Sequence, residues 1–224
     1  MGKFLRFIGI LFMGLTAAIT ILGGVGTTCV ALDATKYDGM EAIAQYQWLY
    51  IFYVLATTAI GILGIRATIA LVRGKEKAYR DALIVLISGA VIGIIHIMTS
   101  RVLRGSSQPV DMVVYATIFT LVIFLLLGLP KIKQMVGFDK GNDNGKTAAG
   151  GMTAIVAGML FLSVHMWAGP THIFDGINLA DYFHTNMMIS GGFLIFVGFG
   201  LLTYATITSA KVNEIIPQES GISS

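Results

Sequence analysis

Charged residues in this chain come in clumps, and between the clumps the sequence is apolar. Six stretches contain no Asp, Glu, Lys or Arg: 7–32, 42–65, 82–100, 112–130, 147–174 and 182–210. Each reaches the roughly 17–25 residues that a helix needs to cross a hydrocarbon core. Inside lipid the backbone must satisfy its own polar groups, which leaves helices and closed barrels. Barrel strands would show as alternating segments of about ten residues, and the pattern has none. The pattern therefore predicts an all-α polytopic membrane protein, a single integral domain over 1–224. It is a bundle of six transmembrane helices near 4–27, 46–72, 81–103, 111–130, 148–168 and 183–210, with a partly helical outer loop between helices five and six. A linker at 131–147 and a polar tail at 211–224 complete the chain.

Composition agrees. Hydrophobic residues make up 55% and charged residues 12%, against about 25% charged in a soluble domain. The chain is basic, with a pI near 9.0, and the placement of the cations explains this without nucleic acid. Lys3, Arg6, Arg66, Arg73, Lys75, Lys77, Arg80, Lys131, Lys133, Lys140, Lys146 and Lys211 fall on one side of the predicted topology. Only Lys36, Arg101 and Arg104 fall on the other. Such an imbalance marks the cytoplasmic side. Both termini are expected there, in an integral protein of a bacterial or archaeal cell membrane, with the lipid bilayer and other subunits of a membrane complex as partners.

Local motifs change little. Cys29 is alone, so no intramolecular disulfide forms, and "LGGVGTTC" has the wrong residues before the cysteine for lipidation. The first apolar run is longer than a signal-peptide core, so a retained first helix is expected. "GNDNGKT" is one residue short of a phosphate-binding loop and no strand precedes it; it reads as a solvated linker. Gly89 with Gly93, and Gly150, Ala154 and Gly158, are spaced for close helix approach. Gly191, Gly192, Gly198 and Gly200 extend the same expectation to the last helix. Asp111 and Asp181 are suited to capping the helices they precede.

The candidate chemistry lies in the histidines. His96, His165, His172 and His184 are the four in the chain, and the topology puts all of them near the outer face. "AGPTHIFDGINLADYFHT", which joins helices five and six, is too apolar for a free loop and too punctuated for a span. A short interfacial helix there would set Asp181 and His184 on one face, with Trp167, Phe174, Tyr182 and Phe183 as anchors.

Three functions suit this layer. The first is a haem b or quinone site in a membrane subunit of an electron-transfer, respiratory-type complex. His96 with His165 is the expected axial pair, His184 can replace either, and Arg101 or Arg104 would meet the propionates. One layer of histidines allows one haem. In type, though in no motif, this arrangement resembles the small haem- or quinone-binding subunits of respiratory complexes. The second is a Zn, Cu or Fe site on His172, Asp181 and His184. The third is transport, disfavoured because the inner half of the spans lacks ionisable groups other than Arg66. Against all three stands a purely structural use of each histidine, which a non-catalytic subunit would need. His96, expected deepest in the bundle, is the strongest single candidate.

Overall fold

The computed structural model describes every residue except 38, 139–143, 168–171, 175 and 216–224, with the backbone alone for 167, 174 and 211–215. Among the described residues the fold is all-α apart from one small hairpin. Helix α1 (Gly2–Leu32) is followed by two 3-10 turns (Ala34–Lys36 and Glu41–Tyr46), α2 (Gln47–Val72), α3 (Ala78–Arg104) and α4 (Val110–Leu127). Then come α5 (Pro130–Val136), α6 (Asn144–Trp167), strands β1 (Ile173–Phe174) and β2 (Ile177–Asn178), α7 (Leu179–Tyr182) and α8 (His184–Ile215). Among the described residues, six helices are long and apolar enough to cross a membrane. Their outward faces carry large apolar side chains such as Leu55, Val91, Phe119, Phe193 and Phe196, a surface suited to lipid contact.

Helix α1 is the axis. It packs against α2, α4 and α6, while α3 joins α2 to α4. Half of its most apolar stretch is buried, against 11% for α8. The helices approach closely where a side chain is missing. On α2, Gly61 and Gly64 abut Ile21 and Ala17 of α1. The tightest seam joins α6 to α8. A Cβ at Gly158 would lie 2.6 Å from the Gly191 carbonyl oxygen, and one at Gly198 would lie 2.7 Å from that of Gly151. Without a hydrophobic drive inside lipid, such backbone contact is what packs helices. The expected motif thus operates through Gly151 and Gly158, whereas Gly150 faces Val72 of α2. Gly192 and Gly200 meet no neighbour within 4 Å.

One end of the bundle, here called basal, is where α1 begins. Helix α4 stops at Leu127 because Pro130 cannot continue it and holds Leu129 extended (ψ 137°). Pro130 then opens α5, and Gly137 ends it in the left-handed region (φ 55°). Within the span read from sequence as linker, α5 therefore forms a turn of structure. Its Val136 and the following Phe138 are buried in the main core cluster, and Phe138 stacks on Phe124 and Tyr79, each with ring centroids 5.9 Å apart. Two basic side chains are buried here: Arg6 donates to the Gly137 carbonyl at 3.4 Å and Lys146 to that of Phe138 at 3.1 Å. The lysine of the phosphate-loop look-alike is thus a basal anchor. Gly141, Asn142 and Asp143 of that motif lie outside the described residues.

At the opposite, distal end, the Gln47 side chain closes α1 onto α2 by donating to the Leu32 carbonyl at 2.6 Å. Two capping expectations are replaced. Pro109 occupies the cap of α4 without a side-chain bond, because the Asp111 carboxylate accepts from the Ser107 hydroxyl at 2.7 Å and lies 3.7 Å from Arg101. In the connection between α6 and α8, the cap is Asn178, whose side chain accepts from the backbone N–H groups of Ala180 and Asp181. The short helix α7 ends at Tyr182, so Asp181 and His184 belong to different helices.

Candidate functional site

His96, Ser100 and Arg104 recur every four residues along α3, and such positions share a helix face. That face meets Tyr50 and Tyr53, three apart on α2. The Tyr53 ring stacks on the His96 imidazole with centroids 4.2 Å apart, and the Tyr50 ring meets it edge-on at 5.3 Å. Both phenols are tied back to α3. The Tyr50 hydroxyl bonds Ser100 Oγ at 2.7 Å, and the Tyr53 hydroxyl bonds Thr99 Oγ1 at 2.9 Å. Ala31, Ala34 and Ile43 pack with the two tyrosines and close the site from the distal side.

Two nitrogens in this layer are unmatched. His96 is 5% exposed, and its Nε2 is buried with no hydrogen-bond partner. Arg104 donates from one terminal nitrogen to the Gln108 carbonyl, yet its Nε is also buried and unpartnered. The Arg104 side chain also hydrogen-bonds the Tyr50 hydroxyl and lies within electrostatic reach of His96. Leaving such groups unsatisfied costs about 1–3 kcal/mol each, so an acceptor placed between them has something to gain. Chemically, the layer offers an imidazole, a guanidinium N–H and two phenols around an aromatic wall. That set suits a flat molecule bearing carbonyl or carboxylate oxygens.

Arg101 faces elsewhere. Its Nε donates to Ser107 at 2.9 Å, and with Asp111 it forms a small network at the start of α4. Of the two arginines expected to meet a ligand, only Arg104 lies within electrostatic reach of His96.

The other histidines form a separate group. His165, in the last turn of α6, meets His184, in the first turn of α8, edge to face with centroids 5.0 Å apart. His172 lies toward α1: a Cβ at Gly26 would be 3.2 Å from its Nε2. The structure brings His165 to His184 and packs His96 against tyrosines, and does not place the His96 and His165 rings in contact. The His165 and His184 rings touch, and a porphyrin between them would have to part α6 from α8. Asp181 is exposed on α7. Among the described residues no group of three or more His, Cys, Asp or Glu side chains is placed to hold a metal ion; His172, Asp181 and His184 do not converge.

Sequence reasoning passed over Tyr50, Tyr53, Thr99 and Ser100. Part of the signal was present: Tyr50 and Tyr53 stand three apart near the start of α2, and Thr99 and Ser100 follow His96 on α3. What was missing was the knowledge that α2 and α3 place those residues together. The chain matches no protein-family model, no curated protein sequence and no solved structure.

Proposed function

We propose that this protein is a membrane subunit of an electron-transfer complex and binds a quinone headgroup in the distal layer of His96, Arg104, Tyr50 and Tyr53. The observation that carries this reading is the buried, unpartnered Nε2 of His96 between two tyrosine rings. A neutral imidazole can donate from Nε2 to a quinone carbonyl, and Arg104 Nε can serve the same or the second oxygen. Reduction of a quinone to a quinol takes two electrons and two protons, one proton to each carbonyl oxygen. The electrons would come from a redox centre in a partner subunit. The basic-residue imbalance puts this layer on the outer side, with both termini cytoplasmic.

The test is quinone binding by the purified protein in lipid nanodiscs, read by quenching of tryptophan fluorescence. Trp48, largely exposed and two residues before Tyr50 on α2, is the reporter. Tail-less tetramethylbenzoquinone should bind at one equivalent, and His96→Leu should abolish binding without unfolding the protein. Equal binding by wild type and His96→Leu would sink the reading. A reduced-minus-oxidised visible spectrum showing a haem band would replace quinone by haem.

A second reading, a Zn, Cu or Fe ion on His165 and His184, rests on their ring contact. Elemental analysis showing a stoichiometric metal that His184→Ala removes would favour it.

A further inference from the structure

Beside the His96 layer, α2 and α3 part to form an open groove. It is shallow, lined by Tyr46, Leu49, Met98, Thr99, Val102 and Leu103, with about 370 Å³ of space open to the outside. Met98 and Val102 are 62% and 84% exposed, so the groove opens on the flank that a bilayer would cover. Its lining is apolar apart from two hydroxyl side chains, those of Tyr46 and Thr99.

Thr99 stands at the boundary between groove and site. Its Oγ1 donates to the Ile95 carbonyl at 2.9 Å and also meets the Tyr53 hydroxyl at 2.9 Å. A threonine hydroxyl has one hydrogen. With that hydrogen on Ile95, Tyr53 must be the donor to Thr99. The groove's Thr99 is thereby joined to the Tyr53 ring, which stacks on His96, by one hydrogen bond that Tyr53 itself donates. Breaking the bond leaves Thr99 still bonded to Ile95. It also frees a phenol O–H for an incoming acceptor.

We propose that this groove is the lateral access route and tail site for a quinone with an alkyl or isoprenoid tail, and that the Tyr53–Thr99 bond is its latch. The proposal rests on the quinone reading of the His96 layer. The tail lies along Leu49, Met98 and Val102 in contact with lipid, while the headgroup passes the turned Tyr53 ring and reaches His96 Nε2. The occupant follows from an apolar groove on the flank that a bilayer would cover, whose Thr99 is bonded to a ring stacked on the buried His96. A lipid acyl chain alone would use the groove but not the polar site.

The experiment compares tetramethylbenzoquinone with a benzoquinone carrying a decyl tail, both titrated into the full chain in nanodiscs. Val102→Phe, and Leu49→Phe on the opposite wall, should each weaken the tailed quinone about tenfold while moving the tail-less one by less than about twofold. Tyr53→Phe should speed association of both quinones in stopped-flow quenching. The proposal is overturned if the fillers weaken both quinones alike or neither. It is also overturned if the tailed quinone binds His96→Leu as tightly as wild type, which would make the groove an acyl-chain site. If neither quinone binds wild type, the reading of the His96 layer fails, and the access route falls with it.

Discussion

His96 places a polar nitrogen where the surroundings offer it nothing. A buried unpartnered group is worth about 1–3 kcal/mol of lost stability, so removing it should not harm the fold. His96→Leu is expected to keep or raise the thermal midpoint of unfolding in detergent while losing quinone binding. A lowered midpoint would mean that the imidazole serves packing after all. Tyr50 is the contrasting case, because its hydroxyl is matched to buried Ser100. Tyr50→Phe and Ser100→Ala should each destabilise by about 1 kcal/mol, and the double variant should cost less than their sum. Strict additivity in that cycle would mean the bond contributes nothing. At this scale the sequence showed which histidine lies deep, because depth follows from distance along a helix. It did not show what the histidine touches. Partner choice depends on the rotation of α2 about its own axis, and the polar residues of α2 are scattered around it rather than gathered in one stripe.

Helices were legible as elements because a long apolar run in lipid has few alternatives. The short ones were not. Helix α5 lies in a span whose Gly, Asn and Asp content reads as linker, although Pro130 at its start, Gly137 at its end and the apolar pair Ile132 and Val136 are helix signals. Charge masked them: Lys131 and Lys133 made the segment look solvated, while its other face is buried under α1 and α4. Phe138→Ala, which empties the basal stack with Phe124 and Tyr79, should cost about 3–5 kcal/mol, measurable by denaturant titration in mixed micelles. The glycines of α8 separate in the same way. Gly198→Val drives a side chain into the Gly151 carbonyl, whereas Gly192→Val and Gly200→Val meet open space. In a Cys29→Ser background, cysteines at Asn144 and Ser209, whose side chains touch at 2.7 Å, should crosslink in the latter two variants and fail in Gly198→Val. Crosslinking in all three would show that the seam tolerates the added bulk.

The whole molecule divides into a tight group, α1 to α4, and the α6–α8 pair attached to it mainly through α6. Its orientation is testable apart from its chemistry. With Cys29 removed, a cysteine at Ser106 should react with an impermeant maleimide on intact cells. One at Lys75, in the turn between α2 and α3, should react only after the membrane is opened. The reverse pattern would put the His96 layer at the cytoplasmic face. That α1 is central carries a consequence for how the chain is made. A ribosome releases α1 first, yet its neighbour α6 is synthesised only after α2, α3, α4 and α5. Throughout that interval one flank of α1 has no helix against it, with the notch at Gly14 that Thr153 later fills. A chain inserted into a membrane helix by helix would present that notch before α6 arrives, and a substitution there would then act during biogenesis before it acted on the finished fold.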